Sequence, residues 1–373
     1  MKKGMIGIIA AILFIAFVTA FNYGGCGGGK SSDSGSSVDT TLVWAVTGNP
    51  SNRDWEMARA ISIDSSYMYV AGYDESPAVD NSQWRIEKRA LSDGLVITSF
   101  GTGGVITSNP STWLDEAHAI AIDSTYMYVV GYDESPSNEQ WRIEKRDLTN
   151  GSLIGAFGTA GVITSNPSTG LDAAYAIAID STYMYVCGYD NSTNPGLGDS
   201  QWRIEKRSLT DGSLIAPFGS GGVITSNPSA GVDRAQGIAI DSSYIYVVGY
   251  DESPGNEQWR IEKRDLTNGS LIGAFGTAGV ITFNPSATYD WPEAISIDST
   301  YMYVVGYDES PGITAQWRIE KRNLADGSLV TSFGTNGVVA VAGAELYAMA
   351  IDSGYMYAVG FDFASLGNER WRL

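Results

Sequence analysis

Apolar residues along this chain alternate with period two in short segments bounded by turn residues. In residues 119–123 small and large apolar side chains alternate, and Asp-Ser-Thr then forms a turn into a second segment, residues 126–133. Alternation of this kind predicts β-strands. The second segment has bulky residues on both faces, so both of its faces must be covered by other parts of the protein.

A third segment has the sequence Gln-Trp-Arg-Ile-Glu-Lys-Arg at residues 140–146. As a strand it places Trp, Ile and Lys on one face and the two Arg and the Glu on the other. We interpret Arg142 and Glu144 as an ion-pair rung between neighbouring sheets rather than a catalytic pair, because the motif recurs and one active site needs only one copy. Thr-Asn-Gly at 149–151 is a hairpin signal and predicts a fourth strand at residues 152–158.

The tryptophan of the third segment recurs at intervals of 57, 61, 57, 58 and 54 residues, at Trp84, Trp141, Trp202, Trp259, Trp317 and Trp371. A regular interval of this size indicates a repeat architecture. Four short antiparallel strands in each of six units predict an all-β fold, a six-bladed β-propeller of four-stranded antiparallel blades over residues 41–373. The last unit stops in its third strand, so we expect the lone N-terminal strand at 42–46 to complete the last blade.

The sequence of each unit resembles a known repeat. Residues 210–250 contain Asp-Gly-Ser-Leu, a Phe-Gly segment, an acidic residue, Ala-Ile-Ala-Ile-Asp and Val-Val-Gly-Tyr. In this order the motifs resemble the delta-sixty type of bacterial β-propeller repeat, and the resemblance extends over all six units. It implies an exported or envelope protein with a propeller fold, and it implies no catalytic residues.

The charge of the chain narrows the choice of partners. With 23 basic and 42 acidic side chains, the net charge is −19. Such a chain repels nucleic acid and anionic lipid headgroups, and it attracts cations and basic partners. Its two cysteines, Cys26 and Cys187, cannot form a disulfide framework or a cysteine-based zinc site. Cys187 occupies a slot that the other units fill with Ala or Val, which predicts a buried apolar role.

The N-terminus predicts export. Residues 1–25 have the charged and apolar regions of an export signal, and residues 26–40 are typical of a flexible Gly/Ser-rich tether. Gly-Gly-Cys at 24–26 resembles the lipid-attachment site of bacterial lipoproteins. We therefore expect lipidation of Cys26 and a lipid-anchored protein of the cell envelope or outer membrane. Cleavage after Ala20, giving a secreted protein, and an uncleaved membrane anchor are the alternatives.

Variation between the units is concentrated in the loops of one face of the predicted propeller. One slot, immediately before the innermost strand, holds Arg59, His118, Tyr175, Gln236, Glu293 and Tyr347. In the predicted fold these six residues surround one mouth of the central channel, and convergent polar groups at a concave mouth form a candidate binding site. The alternative is a solvent-exposed slot that tolerates variation. His118 is the sole histidine and could titrate near neutral pH.

Acidic residues also lie toward this face. Three residues before the ring slot, four units have an aspartate: Asp115, Asp172, Asp233 and Asp290. Carboxylate oxygens are the ligands that calcium prefers, but an aspartate at a strand end also commonly caps a turn. Because no contiguous calcium loop is present, we expect no cofactor, and calcium is the alternative.

These observations favour a non-enzymatic cell-envelope lipoprotein whose variable face binds an envelope or extracellular protein, a glycan or a small solute, and no nucleic acid. One alternative is a propeller-type lyase or hydrolase that uses channel-mouth residues such as His118 and Glu293. Another is a purely structural surface protein, since residues 139–164 recur unchanged as 257–282. With no nucleophile elbow, phosphate loop or metal motif in the sequence, we expect no catalytic residues.

Overall fold

A computed structural model describes residues 56–194, 198–310, 315–342, 344–352, 355–365 and 368–372. Among these residues, no helix has the length and apolar character needed to span a membrane. The expected export signal, the tether, Cys26 and the N-terminal strand at 42–46 lie outside the described residues.

The described chain is built from β-strands, which follow the order of the repeat. The first strands of the units are β1 (Met57–Ile63), β5 (Glu116–Ile122), β9 (Ala173–Ile179), β13 (Arg234–Ile240), β17 (Asp290–Ile297) and β21 (Ala344–Asp352). The second strands are β2 (Tyr67–Ala78), β6 (Tyr126–Asp133), β10 (Tyr183–Asn194), β14 (Tyr244–Asp251), β18 (Tyr301–Asp308) and β22 (Tyr355–Ser365).

The tryptophan segment forms the third strand of each unit. These strands are β3 (Asn81–Ala90), β7 (Gln140–Asp147), β11 (Asp199–Ser208), β15 (Gln258–Asp265), β19 (Gln316–Asn323) and β23 (Asn368–Arg372). The fourth strands are short: β4 (Val105–Ser108), β8 (Val162–Ser165), β12 (Val223–Ser226), β16 (Val280–Phe283) and β20 (Val338–Ala342).

Within the described ranges, each unit is one antiparallel sheet with its strands in chain order, four-stranded in the first five units and three-stranded, β21-β22-β23, in the last. The first strand of every sheet contacts the first strand of the next, from β1 with β5 through to β17 with β21. Sheets that meet side by side along their first strands are the blades of a β-propeller. The prediction of an all-β propeller is therefore confirmed.

The tryptophan segment joins neighbouring sheets. In the second sheet, Trp141 is fully buried and its indole Nε1 donates to the carbonyl oxygen of Tyr189 in the third sheet at 2.9 Å. Lys145, on the same face, donates from Nζ to the carbonyl oxygen of Leu209 at 2.6 Å and lies 4.1 Å from the ring centre of Tyr126. Because each bond crosses to the next sheet, the repeated motif fixes the spacing between blades.

The opposite face of the same strand carries the ion-pair rung. Arg142 and Arg146 both bind Glu144, at 2.8 Å and 2.6 Å. The ion pairs therefore form within one sheet, and the expectation of pairs between neighbouring sheets is wrong. The rung still lies at an interface, since the Arg142 guanidinium is 5.6 Å from the ring centre of Trp84 in the preceding sheet. Burial alone would raise the pKa of Glu144, but the two guanidinium groups hold it below its ordinary value.

The fourth strand lies later in the chain than predicted. Residues 152–158 form a turn that makes one isolated bridge to β7, and the strand that pairs with β7 is β8. Phe157 is completely buried and anchors this turn, while Ala160 and Gly161 have positive φ angles and reverse the chain before β8. The prediction failed because apolar residues of a packed turn resemble those of a strand. Cys187 is completely buried, as expected, and has no disulfide partner among the described residues.

Candidate functional site

The six residues of the predicted ring share one structural feature. Each first strand slips by one residue in its pairing with the second strand, and the extra residue is a member of the ring: Arg59, His118, Tyr175, Gln236, Glu293 or Tyr347. They therefore lie inside the first strands, not before them. A β-bulge bends the strand and re-aims the side chain of its extra residue, so the same position is displaced in every unit.

A glycine of the second strand faces each bulge. A Cβ atom on Gly131 would lie 2.0 Å from the carbonyl oxygen of Glu116, and one on Gly188 would lie 2.0 Å from that of Ala173. Only glycine fits where the bulged backbone approaches so closely. The repeated Gly-Tyr-Asp sequence thus encodes the bulge, a signal that the sequence analysis missed.

A second slot lies two residues before the bulge. It holds Met57, Glu116, Ala173, Arg234 and Trp291 in the first five sheets. The residue between the slots, such as Ala117 or Ala235, is completely buried, so the two slots share the opposite face of the strand. This slot varies in chemistry as much as the ring slot does, and that variation could have identified it from the sequence.

Glu116 is the centre of a cluster in this slot. Its carboxylate accepts from Arg59 at 3.4 Å, and Nε2 of His118 lies 3.9 Å from it. Burial raises the pKa of Glu116, while the charge of Arg59 and a hydrogen bond from Tyr132 act in the opposite direction. The rings of His118 and Tyr175 pack edge to face with centroids 4.8 Å apart. The structure therefore brings the first three ring residues together.

His118 is not the titrating group that the sequence suggested. Its imidazole is buried, and this burial, together with the positive charge of Arg59, lowers its pKa well below the ordinary value of 6.5. Its Nε2 atom has no hydrogen-bond partner among the described residues. The histidine is therefore neutral at physiological pH.

A second glutamate, Glu139, was not predicted from the sequence. It is the last residue before β7, in a slot filled by Ser82, Ser200, Glu257 and Ala315 in other sheets. The hydroxyl of Tyr189 donates to its Oε2 atom at 2.9 Å. Burial raises the pKa of Glu139 to about 7, and nearby negative charges act in the same direction. Glu139 and Glu116 both interact with Tyr132, whose pKa is raised by its burial and by both carboxylates.

Aromatic residues extend the site toward later sheets. The rings of Tyr250 and Trp291 stack with centroids 5.2 Å apart and an interplanar angle of 8°. The ring centroids of Tyr307 and Trp291 are 5.9 Å apart, with an interplanar angle of 37°. Of the remaining ring residues, Glu293 lies near Tyr250, where it contributes to the raised pKa of that phenol, and Gln236 and Tyr347 occupy the bulges of β13 and β21.

Each of the four aspartates considered for calcium caps a turn. Both carboxylate oxygens of Asp115 accept from Ser111, at 2.8 Å from the hydroxyl and 3.1 Å from the amide. Asp172 binds Ser168 in the same way, and Asp233 and Asp290 bind Ser229 and Ser286. In the part of the chain that the structure describes, no group of three or more His, Cys, Asp or Glu side chains is arranged to hold a metal.

No protein-family model and no curated protein matches this sequence. Among solved structures, the chain is similar to a GH43 β-xylosidase/α-arabinofuranosidase from a compost microbial metagenome, at 10% identity and a TM-score of 0.34, covering 81% of this chain and 94% of that chain. It is also similar to a thermostable family-43 glycoside hydrolase, at 12% identity and a TM-score of 0.33, covering 81% and 92%. The α-L-arabinanase of Cellvibrio cellulosa aligns at 11% identity and a TM-score of 0.30, covering 82% and 96%.

These comparisons correct the expected function. The solved structures to which the chain is similar are glycoside hydrolases, so the expectation of a non-enzymatic binding protein is not maintained, and the hydrolase alternative is taken up below as a proposal. At such TM-scores the similarity carries no argument about substrate, mechanism or individual residues. Those must be argued from the side chains of the candidate site.

Proposed function

We propose that this chain is a propeller-type hydrolase that cleaves a glycosidic bond at the channel mouth. The observation that carries the proposal is the pair of glutamates of the second sheet, Glu116 and Glu139, which occupy different electrostatic environments beside Tyr132. Burial raises the pKa of both, to about 7 for Glu139, while Glu116 has an ion pair with Arg59 that favours its charged form. A pair of carboxyl groups in different environments is the usual acid and base of glycoside hydrolysis.

Glu139 has the role of general acid. With a pKa of about 7, roughly half of the Glu139 side chains are protonated at neutral pH, and the protonated form donates its proton to the leaving oxygen of the glycosidic bond. Tyr189 holds the carboxyl group in position through its hydrogen bond to Oε2. Glu116 is the partner carboxylate, because its ion pair with Arg59 favours the charged form. Glu116 either attacks the anomeric carbon as a nucleophile or takes a proton from the attacking water as a general base.

Aromatic rings support a sugar as the substrate. Tyr175 and Trp291 are partly exposed; Tyr175 packs against His118 and the buried Tyr189, and Trp291 stacks on the buried Tyr250. Flat rings with a polar edge present an apolar surface to the C–H face of a pyranose, while their hydroxyl or indole N–H groups bind its hydroxyls. A carboxyl pair beside such rings suits a glycan better than an ester or a peptide.

The proposal includes the wider architecture and location. We infer six blades, closed by the N-terminal strand, and membership of the delta-sixty type of repeat. The six tryptophan-containing units support the blade number. The export signal and Gly-Gly-Cys at 24–26 support a lipoprotein anchored at Cys26 in the cell envelope, where extracellular glycans are within reach of the mouth.

Replacement of Glu139 tests the proposal. On a panel of aryl glycosides and defined oligosaccharides, we expect the wild-type chain to cleave at least one substrate. Glu139→Gln should lower kcat by about 100-fold or more, since loss of a general acid costs ~10²–10⁴-fold. The hydrolysis rate of Glu139→Gln should depend more strongly on the pKa of the leaving group than the wild-type rate does, because good leaving groups need no proton.

Glu257→Gln is the matched control. It makes the same chemical change at the equivalent position of an identical 26-residue segment, residues 257–282 against 139–164. We expect kcat within about 3-fold of the wild-type value, as for a residue that makes no transition-state contact. Absence of cleavage over the whole panel, or equal losses in the two variants, would overturn the proposed function.

A further inference from the structure

Arg234 differs from the other arginines of the protein. No carboxylate among the described residues lies within 4.0 Å of its guanidinium. Every other arginine whose side chain is described has at least one such partner: Arg59, Arg85, Arg89, Arg142, Arg146, Arg203, Arg207, Arg260, Arg264, Arg318 and Arg322. In a chain with a net charge of −19, an arginine without an acidic partner is unexpected.

The surroundings of Arg234 are those of the proposed active site. Its guanidinium lies 4.3 Å from the ring centre of Tyr189, the residue that donates to Glu139. The charge of Glu139 acts on it only from beyond ion-pair distance, and its Nε atom is buried with no hydrogen-bond partner among the described residues. A half-buried charge with an unused donor is costly unless something pairs with it.

The fold does not require an arginine at this position. Arg234 occupies the slot two residues before a bulge, and in the first and third sheets the same slot holds Met57 and Ala173. The backbone pairing of the slot is the same in these sheets, since Arg234 pairs with Tyr250 as Met57 does with Tyr73. The charge of Arg234 is therefore available for a ligand.

We propose that Arg234 binds the carboxylate of an acidic sugar, so that the substrate is a glycan containing uronic acid. This inference rests on the proposed function and names its substrate class. A guanidinium presents parallel N–H groups that match the two oxygens of a carboxylate, which favours this group over a hydroxyl. The carboxylate neutralises the unpaired charge of Arg234, and the bound sugar places its glycosidic oxygen near Glu139.

A sulfated sugar carries the same charge as a uronate, but on a tetrahedral group rather than a planar carboxylate. The experiment therefore distinguishes uronate from sulfated ligands. Binding is measured by titration calorimetry with four probes: a galacturonate trisaccharide, a glucuronate-containing tetrasaccharide, the methyl ester of the first, and a sulfated oligosaccharide of similar length. The ester differs from its parent acid almost only in charge. Calorimetry reports binding whether or not the bond is cleaved, so this test can succeed or fail independently of the hydrolase activity.

We expect at least one uronate probe to bind wild-type protein about 10-fold or more tighter than the uncharged ester, since hydrogen bonds to a charged group are stronger than those to a neutral one. Arg234→Met, which installs the residue of the first sheet, should abolish that preference and leave the weak binding of the ester unchanged. Arg234→Lys should retain part of the preference, because it keeps the charge but loses the planar fork.

Several outcomes would overturn the inference. These are equal affinity of wild-type protein for acid and ester, a preference that survives in Arg234→Met, tighter binding of the sulfated probe, and no binding of either uronate. An unchanged melting temperature of Arg234→Met shows that any loss of binding comes from the missing charge. Cleavage of neutral glycosides without uronate preference would refute this inference and leave the proposed function standing.

Discussion

Single residues of the candidate site have their chemistry set by burial and by one or two neighbours. His118 is the residue that a sequence reader would choose as an acid or base, yet burial and Arg59 keep it neutral. Glu139 has an ordinary side chain in a loop, but burial beside Tyr189 moves its pKa to about 7. The catalytic proton is thus assigned to a carboxyl group whose environment, rather than its residue type, suits it for the role.

The pH dependence of hydrolysis tests this assignment. Glu139 must be protonated, so activity should fall as the pH rises through about 7. Glu116 must be ionised, so activity should also fall at acidic pH, beginning above the ordinary glutamate value of 4.5 because burial raises its pKa. The measurement is kcat/KM against pH, whose two limbs report the free enzyme.

The variants separate the two candidates for the alkaline limb. Glu139→Gln should remove that limb. In His118→Asn the limb should stay near pH 7 whatever the absolute rate, because the histidine pKa lies well below 6.5. A limb that disappears with His118 and persists without Glu139 would reverse the assignment.

Strands and their bulges place the side chains of the site. The alternation of the tryptophan segment correctly predicted which residues share a face, because a regular strand has period two. The bulge could not be predicted in the same way, since its extra residue has no preferred type: Arg59, His118 and Tyr175 all occupy it. Its signal lies on the partner strand, in the glycine that makes room for it.

The candidate site was therefore only partly predictable from the sequence. The ring slot was recognised by its variation, but the slot of Glu116 and Arg234 was not, because without the bulge it seemed to belong to the preceding loop. Glu139 was missed because its slot holds serine, alanine or glutamate, and because its raised pKa comes from burial in the folded protein, beside Tyr189, a residue 50 positions away in the chain. Contacts between sheets are not visible in the pattern of one strand.

Substitution of a glycine opposite a bulge tests how much this element depends on it. In Gly131→Ala the added Cβ would meet the carbonyl oxygen of Glu116 at 2.0 Å, so β5 and β6 must move apart. We expect a loss of about 1–3 kcal/mol in the free energy of unfolding, the range for overpacked sites. Denaturant unfolding measures it, and hydrolysis should fall as well because Glu116 is displaced.

Gly155→Ala is the control for this substitution. A Cβ at Gly155 has no heavy atom within 4 Å, so its effect should stay within about 0.5 kcal/mol, as for other surface changes. If the two variants unfold at the same denaturant concentration, the close approach at the bulge does not constrain the fold.

At the scale of the molecule, each of the first four sheets is joined to the next by the same pair of hydrogen bonds. Trp84, Trp141, Trp202 and Trp259 each donate to a tyrosine carbonyl oxygen of the following sheet. Lys88, Lys145, Lys206 and Lys263 each donate to a leucine carbonyl oxygen there. In such an arrangement each sheet is stabilised by its interfaces with the neighbouring sheets. The stability of the first and last sheets therefore depends on how the ring is closed.

Closure by the N-terminal strand is the last prediction. The sixth sheet has three described strands, β21-β22-β23, where the first five sheets have four, and a fourth strand beside β23 would cover its outer edge. Deletion of residues 41–47 should therefore lower the melting temperature sharply and reduce hydrolysis, because Arg59 and Glu116 lie on the first two sheets. Deletion of residues 27–40, the expected tether, should leave the melting temperature unchanged. If removing residues 41–47 is equally harmless, the last sheet is completed by other means and the N-terminal strand has no part in closure.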